Sequence, residues 1–238
     1  IVEIFEKSIR EGKNIHYADR YSAVKVLDES SEEEADKVAK LYEQKINEGK
    51  SYFYSAMYSH MVIFNKLKEN RADRGATIYE KKMKEGKDYW YAEEYCRLII
   101  FSMADEAQAD KGATIVEQKM TEGKNYLYSE KYCRLIVLDK VSEEQADRGA
   151  TIYEKKMKEG KDYWYAEEYC RLIIFNSADE VQANEGATIL EQKIKEGKDY
   201  DYSRMYSYLV VVDGASEEQA SQILSLCEQK KSEGKSQD

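Results

Sequence analysis

The chain has 238 residues, of which 37 are basic and 47 acidic, giving a formal net charge of −10. A negative average field disfavours binding to the phosphate backbone of nucleic acids and favours basic or neutral partners. Proline is absent and no apolar run approaches 18 residues, which argues against disordered linkers and predicts no membrane span.

A period of 37 residues dominates the sequence. The triplet Glu-Gly-Lys recurs at that spacing, with its glycine at Gly12, Gly49, Gly86, Gly123, Gly160, Gly197 and Gly234. Residues 146–175 also repeat residues 72–101 without a change. A short, unbroken period predicts repeats that stack on their neighbours instead of one globular domain.

Each period is predicted to open with a helix A, which begins at a capping-box pattern and ends at the glycine of Glu-Gly-Lys. The capping patterns are Ser31-Glu-Glu-Glu34, Asp105-Glu-Ala-Gln108, Ser142-Glu-Glu-Gln145, Asp179-Glu-Val-Gln182 and Ser216-Glu-Glu-Gln219. Lys68, at the same position, has no capping side chain, so we expect that helix to fray first. The expected A helices cover residues 1–11, 31–48, 68–85, 105–122, 142–159, 179–196 and 216–233.

A helix B is predicted to follow in each period, from an N-cap such as Asp162 to about Phe175. It is apolar on nearly all sides, so it needs cover from its own helix A and from the next one, whereas helix A keeps an open face. The sequence thus predicts an all-α, superhelical αα-hairpin repeat solenoid of thirteen helices. We expect a single array over residues 1–238, made of a partial repeat 1–30, repeats 31–67, 68–104, 105–141, 142–178 and 179–215, and a C-terminal capping helix 216–238.

Ala150 and Tyr153 in helix A, followed by Asp162, Ala166 and Tyr169 in helix B, recur along the whole chain in similar form. This pattern resembles the tetratricopeptide superfamily of antiparallel helix pairs, including its Sel-type repeats. The 37-residue period, the missing proline and the missing Gly-x-Gly turn depart from the pattern, so the resemblance indicates the architecture without a particular family. It implies a binding scaffold for proteins or peptides.

One carboxylate per period stands beside the apolar stripe of helix A, with aspartate and threonine on the same side. By the resemblance, these residues face a concave groove that would receive a basic or polar protein segment. The expected groove residues are Asp73, Thr77, Glu80, Asp110, Thr114, Glu117, Asp147, Thr151, Glu154, Thr188 and Glu191. The alternative is a solvated face in which the glutamates pair with Lys84, Lys158 and Lys195, four residues on.

Two tyrosine positions in helix B, four residues apart, are filled in all six periods. This spacing predicts ordered packing between repeats, and a base-stacking ladder is disfavoured by the negative field. The position four residues after the turn glycine varies from His16 to Trp164 to Asp201, a range that a core position would not accept. Trp90 and Trp164 are therefore predicted to be partly exposed, as contact anchors or as lids on the neighbouring repeat.

The sequence predicts no catalytic or metal site. His16 and His60 are the only histidines, they lie in different periods, and no Cys-x-x-Cys spacing exists. Cys96, Cys133 and Cys170 share one apolar repeat position, which predicts inert thiols in a reducing, cytoplasmic compartment.

The function expected from these patterns is a protein-interaction scaffold, without enzyme activity, cofactor or metal. The expected partner is another protein or peptide of basic character, with no nucleic acid or membrane and with self-association left open. The alternative function is a structural rod or self-assembling spacer with no dedicated ligand groove.

Overall fold

The computed structural model describes residues 1–232, which form thirteen α-helices and no strand. The helices are α1 (Val2–Arg10), α2 (Ile15–Leu27), α3 (Glu32–Asn47), α4 (Tyr52–Ile63), α5 (Glu69–Lys84), α6 (Tyr89–Phe101), α7 (Glu106–Thr121), α8 (Tyr126–Val137), α9 (Glu143–Lys158), α10 (Tyr163–Phe175), α11 (Glu180–Lys195), α12 (Tyr200–Val211) and α13 (Glu217–Ser232). Odd-numbered helices are A helices and even-numbered helices are B helices. The predicted all-α helical repeat is confirmed, while residues 233–238 of the predicted capping helix lie outside the described residues.

The helices begin where the capping patterns predict. In each predicted capping box the first side chain accepts the backbone N–H of the fourth residue, whose own side chain accepts the backbone N–H of the first. At the start of α5, Lys68 forms no side-chain cap hydrogen bond. The first backbone amides of α5 therefore lack the side-chain acceptor that a capping box provides at the start of α3, α7, α9, α11 and α13.

Replacing Lys68 with serine is expected to raise the free energy of unfolding by about 0.5–2 kcal/mol, because the hydroxyl can accept an orphan backbone N–H. Lys68 already has the extended backbone of an N-cap, with φ −62° and ψ 149°. Urea denaturation measures the gain, and Ser142→Ala is the matched control that should lose a similar amount. If Lys68→Ser gains nothing while Ser142→Ala is destabilised, the start of α5 is not limited by its cap.

Two left-handed backbone positions define the turns. The glycine of each Glu-Gly-Lys triplet within the described residues has φ between 77° and 85°, which glycine adopts without a Cβ penalty. A second left-handed residue lies in every turn from helix B to the next helix A. These residues are Glu29, Lys66, Met103, Lys140, Ser177 and Gly214. The sequence pattern did not reveal this second position, because five of its six residues are not glycine.

The chain divides into two compact units, Ile1–Gln118 and Lys119–Asp238, with the division inside α7. Within each unit, successive helices pack in tandem: α2 on α3 and α4 on α5 in the first, α8 on α9 and α10 on α11 in the second. Whether residues 1–238 act as one array stays a prediction.

The core of each unit is built from the B helices and one narrow stripe of each A helix. In α10 the side chains of Tyr165, Cys170 and Leu172 are fully buried, as a helix apolar on most sides requires. In α9 the buried stripe includes Gly149, where an added Cβ would lie 2.7 Å from Leu135 Cδ1. Glycine in the middle of a helix therefore serves close packing between consecutive repeats.

Candidate functional site

The first tyrosine of each of five B helices donates a hydrogen bond from its hydroxyl to the next helix A. Tyr17 donates to Asp36 Oδ1 at 2.6 Å. The same bond joins Tyr54 to Asp73, Tyr91 to Asp110, Tyr128 to Asp147 and Tyr165 to Asn184. Burial first, and the bonded aspartate second, raise the pKa of Tyr17, Tyr54, Tyr91 and Tyr128 well above its usual range. The predicted groove residues Asp73, Asp110 and Asp147 thus hold neighbouring repeats together.

The predicted groove glutamates are half-buried and three of them pair with a lysine four residues on. Glu80 lies 2.8 Å from Lys84 Nζ and Glu191 lies 2.7 Å from Lys195 Nζ. Glu154 pairs with Lys158 and also accepts the side-chain amide of Asn125 at 2.6 Å. Glu117 has the same half-buried placement on α7. For these three pairs the structure shows the arrangement that the solvated-face alternative predicts.

Threonine supplies exposed side chains to the same side of the A helices. Thr77, Thr114, Thr151 and Thr188 are all exposed. Thr114 and Thr188 donate to the backbone carbonyls of Asp110 and Asn184, one turn earlier in their helices. Aspartate or asparagine, threonine and glutamate at positions i, i+4 and i+7, such as Asp147, Thr151 and Glu154, form what we call the A-face stripe. The structure brings the predicted groove residues of each helix together in this stripe.

Two lysines cover the tyrosine pair of helix B, an arrangement that the sequence analysis missed. The rings of Tyr165 and Tyr169 stack with centroids 6.1 Å apart. Lys161 Nζ lies 4.5 Å from the first ring centre and Lys156 Nζ 4.4 Å from the second. The arrangement recurs with Lys50 and Lys45 over Tyr54 and Tyr58, Lys87 and Lys82 over Tyr91 and Tyr95, Lys124 and Lys119 over Tyr128 and Tyr132, and Lys198 and Lys193 over Tyr202 and Tyr206. These five pairs therefore leave little open ring surface for a stacked base.

The two tryptophans lie partly exposed on the B helices. Trp164 is 38% exposed, packs edge-on against Tyr163 with centroids 5.0 Å apart, and lies 4.8 Å from the ring of Tyr200. Trp90 is half-buried and edge-on to Tyr89, with centroids 5.1 Å apart. Because Tyr200 belongs to the next helix B, Trp164 contacts the neighbouring repeat, as the lid alternative predicts.

Comparisons with protein-family models, with curated proteins and with solved structures find no match to this chain. The resemblance to tetratricopeptide repeats therefore stays a prediction.

The buried thiols are poorly suited to nucleophilic chemistry. Burial raises the pKa of Cys96 to about 12 and that of Cys170 to about 11, so both are protonated near neutral pH. Their sulfurs lie 3.3 Å and 3.4 Å from the carbonyl oxygens of Gly75 and Gly149, to which they donate. Within residues 1–232, no cluster of three or more His, Cys, Asp or Glu is placed to hold a metal ion. No helix of the described part combines the length and apolarity needed to cross a bilayer.

Proposed function

We propose that the chain is a protein-interaction scaffold of tetratricopeptide-like repeats whose A helices bind a basic or polar segment of another protein. The observation that carries the proposal is the A-face stripe on α5, α7, α9 and α11, where the aspartates or asparagine and the threonines are exposed and the glutamates are half-buried, whereas most B-helix side chains are buried or half-buried. Repeated subsites on successive helices suit an extended partner, and the net charge of −10 favours a basic one.

The internal bonds of the stripe leave room for a partner. The tyrosine hydroxyl occupies Oδ1 of Asp147, so that carboxylate has a second oxygen able to accept from a partner. The lysine in the Glu191–Lys195 pair is largely exposed, and surface ion pairs are worth about 0–1 kcal/mol. A lysine or arginine of the partner can therefore replace the internal lysine at little cost.

The proposal includes a reducing, cytoplasmic compartment and no catalytic role, cofactor or metal. The compartment is supported by the four cysteines, all of which are free thiols, three of them buried. The partner class is supported by the sign of the net charge, which disfavours nucleic acid.

Glu154→Gln with Glu191→Gln is expected to weaken binding of a labelled peptide of alternating lysine and glycine by roughly two- to tenfold at low salt. The substitutions remove two charges and keep an oxygen that can accept from Asn125 and the lysines. Fluorescence anisotropy measures the affinity, and circular dichroism checks that helix content is unchanged.

The matched control is Lys158→Gln with Lys195→Gln, which removes the competing internal ammonium groups and should tighten binding of the same peptide. If both double variants bind the peptide as the parent chain does, the A-face stripe is not the binding surface.

A structural rod or self-assembling spacer is the second candidate, and the internal use of the stripe favours it. The aspartates bond tyrosines and Trp164 covers Tyr200, so these residues already have a structural role. On this alternative, the glutamate substitutions leave assembly unchanged, whereas Trp90→Ala with Trp164→Ala alters the association state seen by sedimentation velocity.

A further inference from the structure

The first period has a serine, Ser8, at a helix A position where the later periods have a lysine that covers a tyrosine ring. In five later periods a lysine of helix A places its Nζ 4.3–4.9 Å from the centre of the second tyrosine ring of helix B. These lysines are Lys45, Lys82, Lys119, Lys156 and Lys193. The equivalent residue of α1 is Ser8, whose hydroxyl donates to the carbonyl of Ile4 at 3.1 Å. Serine is too short to cover the equivalent ring, that of Tyr21.

An open cavity of about 450 Å³ lies at this place, between α1, α2 and α3. Ser8 lines one wall, Tyr17 and Tyr21 lie at the α2 side, and Glu32 and Asp36 line the α3 side. Tyr21 is half-buried, whereas its equivalents in the later periods are only 3–8% exposed. The short side chain at position 8 therefore coincides with an accessible aromatic ring.

The carboxylates that surround the later lysines are retained in the first period. Lys156, for example, lies 3.1 Å from Glu159, three residues on in the same helix. The equivalent glutamate of α1 is Glu11. The pKa of Tyr21 is raised first by burial and then by the charges of Glu32, Asp36 and Glu11. One aromatic ring and three carboxylates thus act on the same space, an environment that stabilises a cation.

The three lysines that line the cavity make other contacts. Lys25 donates to the carbonyl of Ser30 at 2.9 Å, and Lys13 lies over the first ring, Tyr17, at 4.8 Å. Lys7 lies 3.9 Å from Glu11, and both side chains are exposed. In the first period the ring of Tyr21 is therefore without the lysine that α3 and the later A helices supply.

We propose that this cavity binds the ammonium group of a lysine side chain presented by a partner protein, in the place that Lys45 and its equivalents take in later periods. The five internal lysines show that this geometry suits a primary ammonium on a flexible alkyl chain. The inference rests on the proposed scaffold function for the source of that lysine and adds one specific contact of the basic segment.

The test is an NMR titration of the full chain with the peptide acetyl-Gly-Ser-Lys-Ser-Gly-amide and with its norleucine counterpart, which has no ammonium. We expect saturable shifts of the Ser8 and Tyr21 amide signals with the lysine peptide only. Ser8→Lys should place a built-in ammonium over Tyr21, weaken binding of that peptide roughly tenfold or more and raise the melting temperature. Val2→Lys adds the same charge to an exposed position of α1 and should leave binding unchanged.

The outcomes separate this inference from the proposed function. If the norleucine peptide binds as well, or if Ser8→Lys binds the lysine peptide like the parent, the ammonium site is wrong. The effect of Glu154→Gln with Glu191→Gln on the affinity of the longer lysine–glycine peptide reports on the A-face stripe independently, because these two glutamates do not line this cavity. Long-peptide binding that the glutamate substitutions weaken, without binding of the single-lysine peptide, overturns the cavity proposal alone. Binding of the single-lysine peptide, with long-peptide affinity that the glutamate substitutions leave unchanged, overturns the stripe alone.

Discussion

Deletion of residues 72–145 is expected to leave a shorter chain that folds with unchanged helix content per residue. Residues 146–175 are identical to residues 72–101, so α4 meets the same side chains that it meets in the parent chain. Tyr54 then donates to Asp147 in place of Asp73, and Met61 packs on Gly149 in place of Gly75. Because repeats contact only their neighbours, the new junction contains no new pair of residue types.

Far-ultraviolet circular dichroism and thermal melting measure this result, with a cooperative melt expected. The control is deletion of residues 142–161, which removes α9 but leaves α10 without the cover of its own helix A. Exposing a buried side chain such as Leu172 costs about 1.5–3 kcal/mol, and several are exposed together. We expect that control to lose its cooperative transition. A control deletion that melts like the parent, or an unfolded 72–145 deletion, contradicts the neighbour-only account.

Deletion of residues 142–178 is expected to give a folded chain of intermediate stability. It preserves the 37-residue period, but it places Arg204 where Glu167 stands, opposite Lys131. Two like charges then meet in place of an ion pair, so this deletion should fold with lower stability than the deletion of 72–145.

Glu167→Leu is expected to lower the free energy of unfolding by about 3–5 kcal/mol, because it leaves the Lys131 ammonium without its main partner. The Lys131 side chain is only 5% exposed and that of Glu167 16%, and Lys131 Nζ lies 2.8 Å and 2.9 Å from the two carboxylate oxygens. Lys131→Met together with Glu167→Leu should recover most of the lost free energy of unfolding. Methionine suits this place because Met57 and Met205 occupy the repeat position of Lys131 in other periods. Urea denaturation of both single variants and the double variant gives the coupling free energy.

An exposed pair in the same unit provides the control for this cycle. Lys155 and Glu159 lie 4.0 Å apart with side chains 72% and 39% exposed, so their coupling should be about 0–1 kcal/mol. If the Lys131–Glu167 coupling is no larger than that of the surface pair, water reaches the buried pair and solvates the lysine.

Local features of the fold were predictable from the sequence, because their causes lie within a few residues. The hydroxyl of Ser142 and the amide of Gln145 form the predicted capping box, and Gly160 takes the predicted left-handed conformation. Ser177 is left-handed in the other turn, with φ 53°, but its residue type gives no such signal.

Contacts between repeats were not predictable in detail, because they depend on how the helices pack. The bond from Tyr128 to Asp147 joins residues 19 apart in sequence, and only packed helices show that they meet. Helix B was expected to be apolar on nearly all sides, yet Glu168 and Lys131 are buried in it. Glu168 is held by Arg171 at 2.7 Å and by the hydroxyl of Ser207 at 3.3 Å, partners that a hydrophobic pattern does not reveal.

The substitution that opens the cavity of the first period was visible in the sequence, since Ser8 aligns with Lys45 and its equivalents. The packing role of the equivalent lysines could not be predicted, because a row of lysines on a charged helix predicts a solvated face. Only the position of Lys156 over Tyr169 shows that the lysine fills space.

The tyrosine–aspartate bonds have a mechanical consequence. Each one ties helix B of one period to helix A of the next, as Tyr54 does to Asp73 and Tyr128 to Asp147. Tension applied to the two ends of a unit then passes through these junctions in series, and each junction includes a tyrosine hydroxyl bond of the same kind. We expect the hairpins to yield one at a time, each releasing roughly 120–130 Å of extended chain, so that work is dissipated gradually, whereas a single globular core would rupture once.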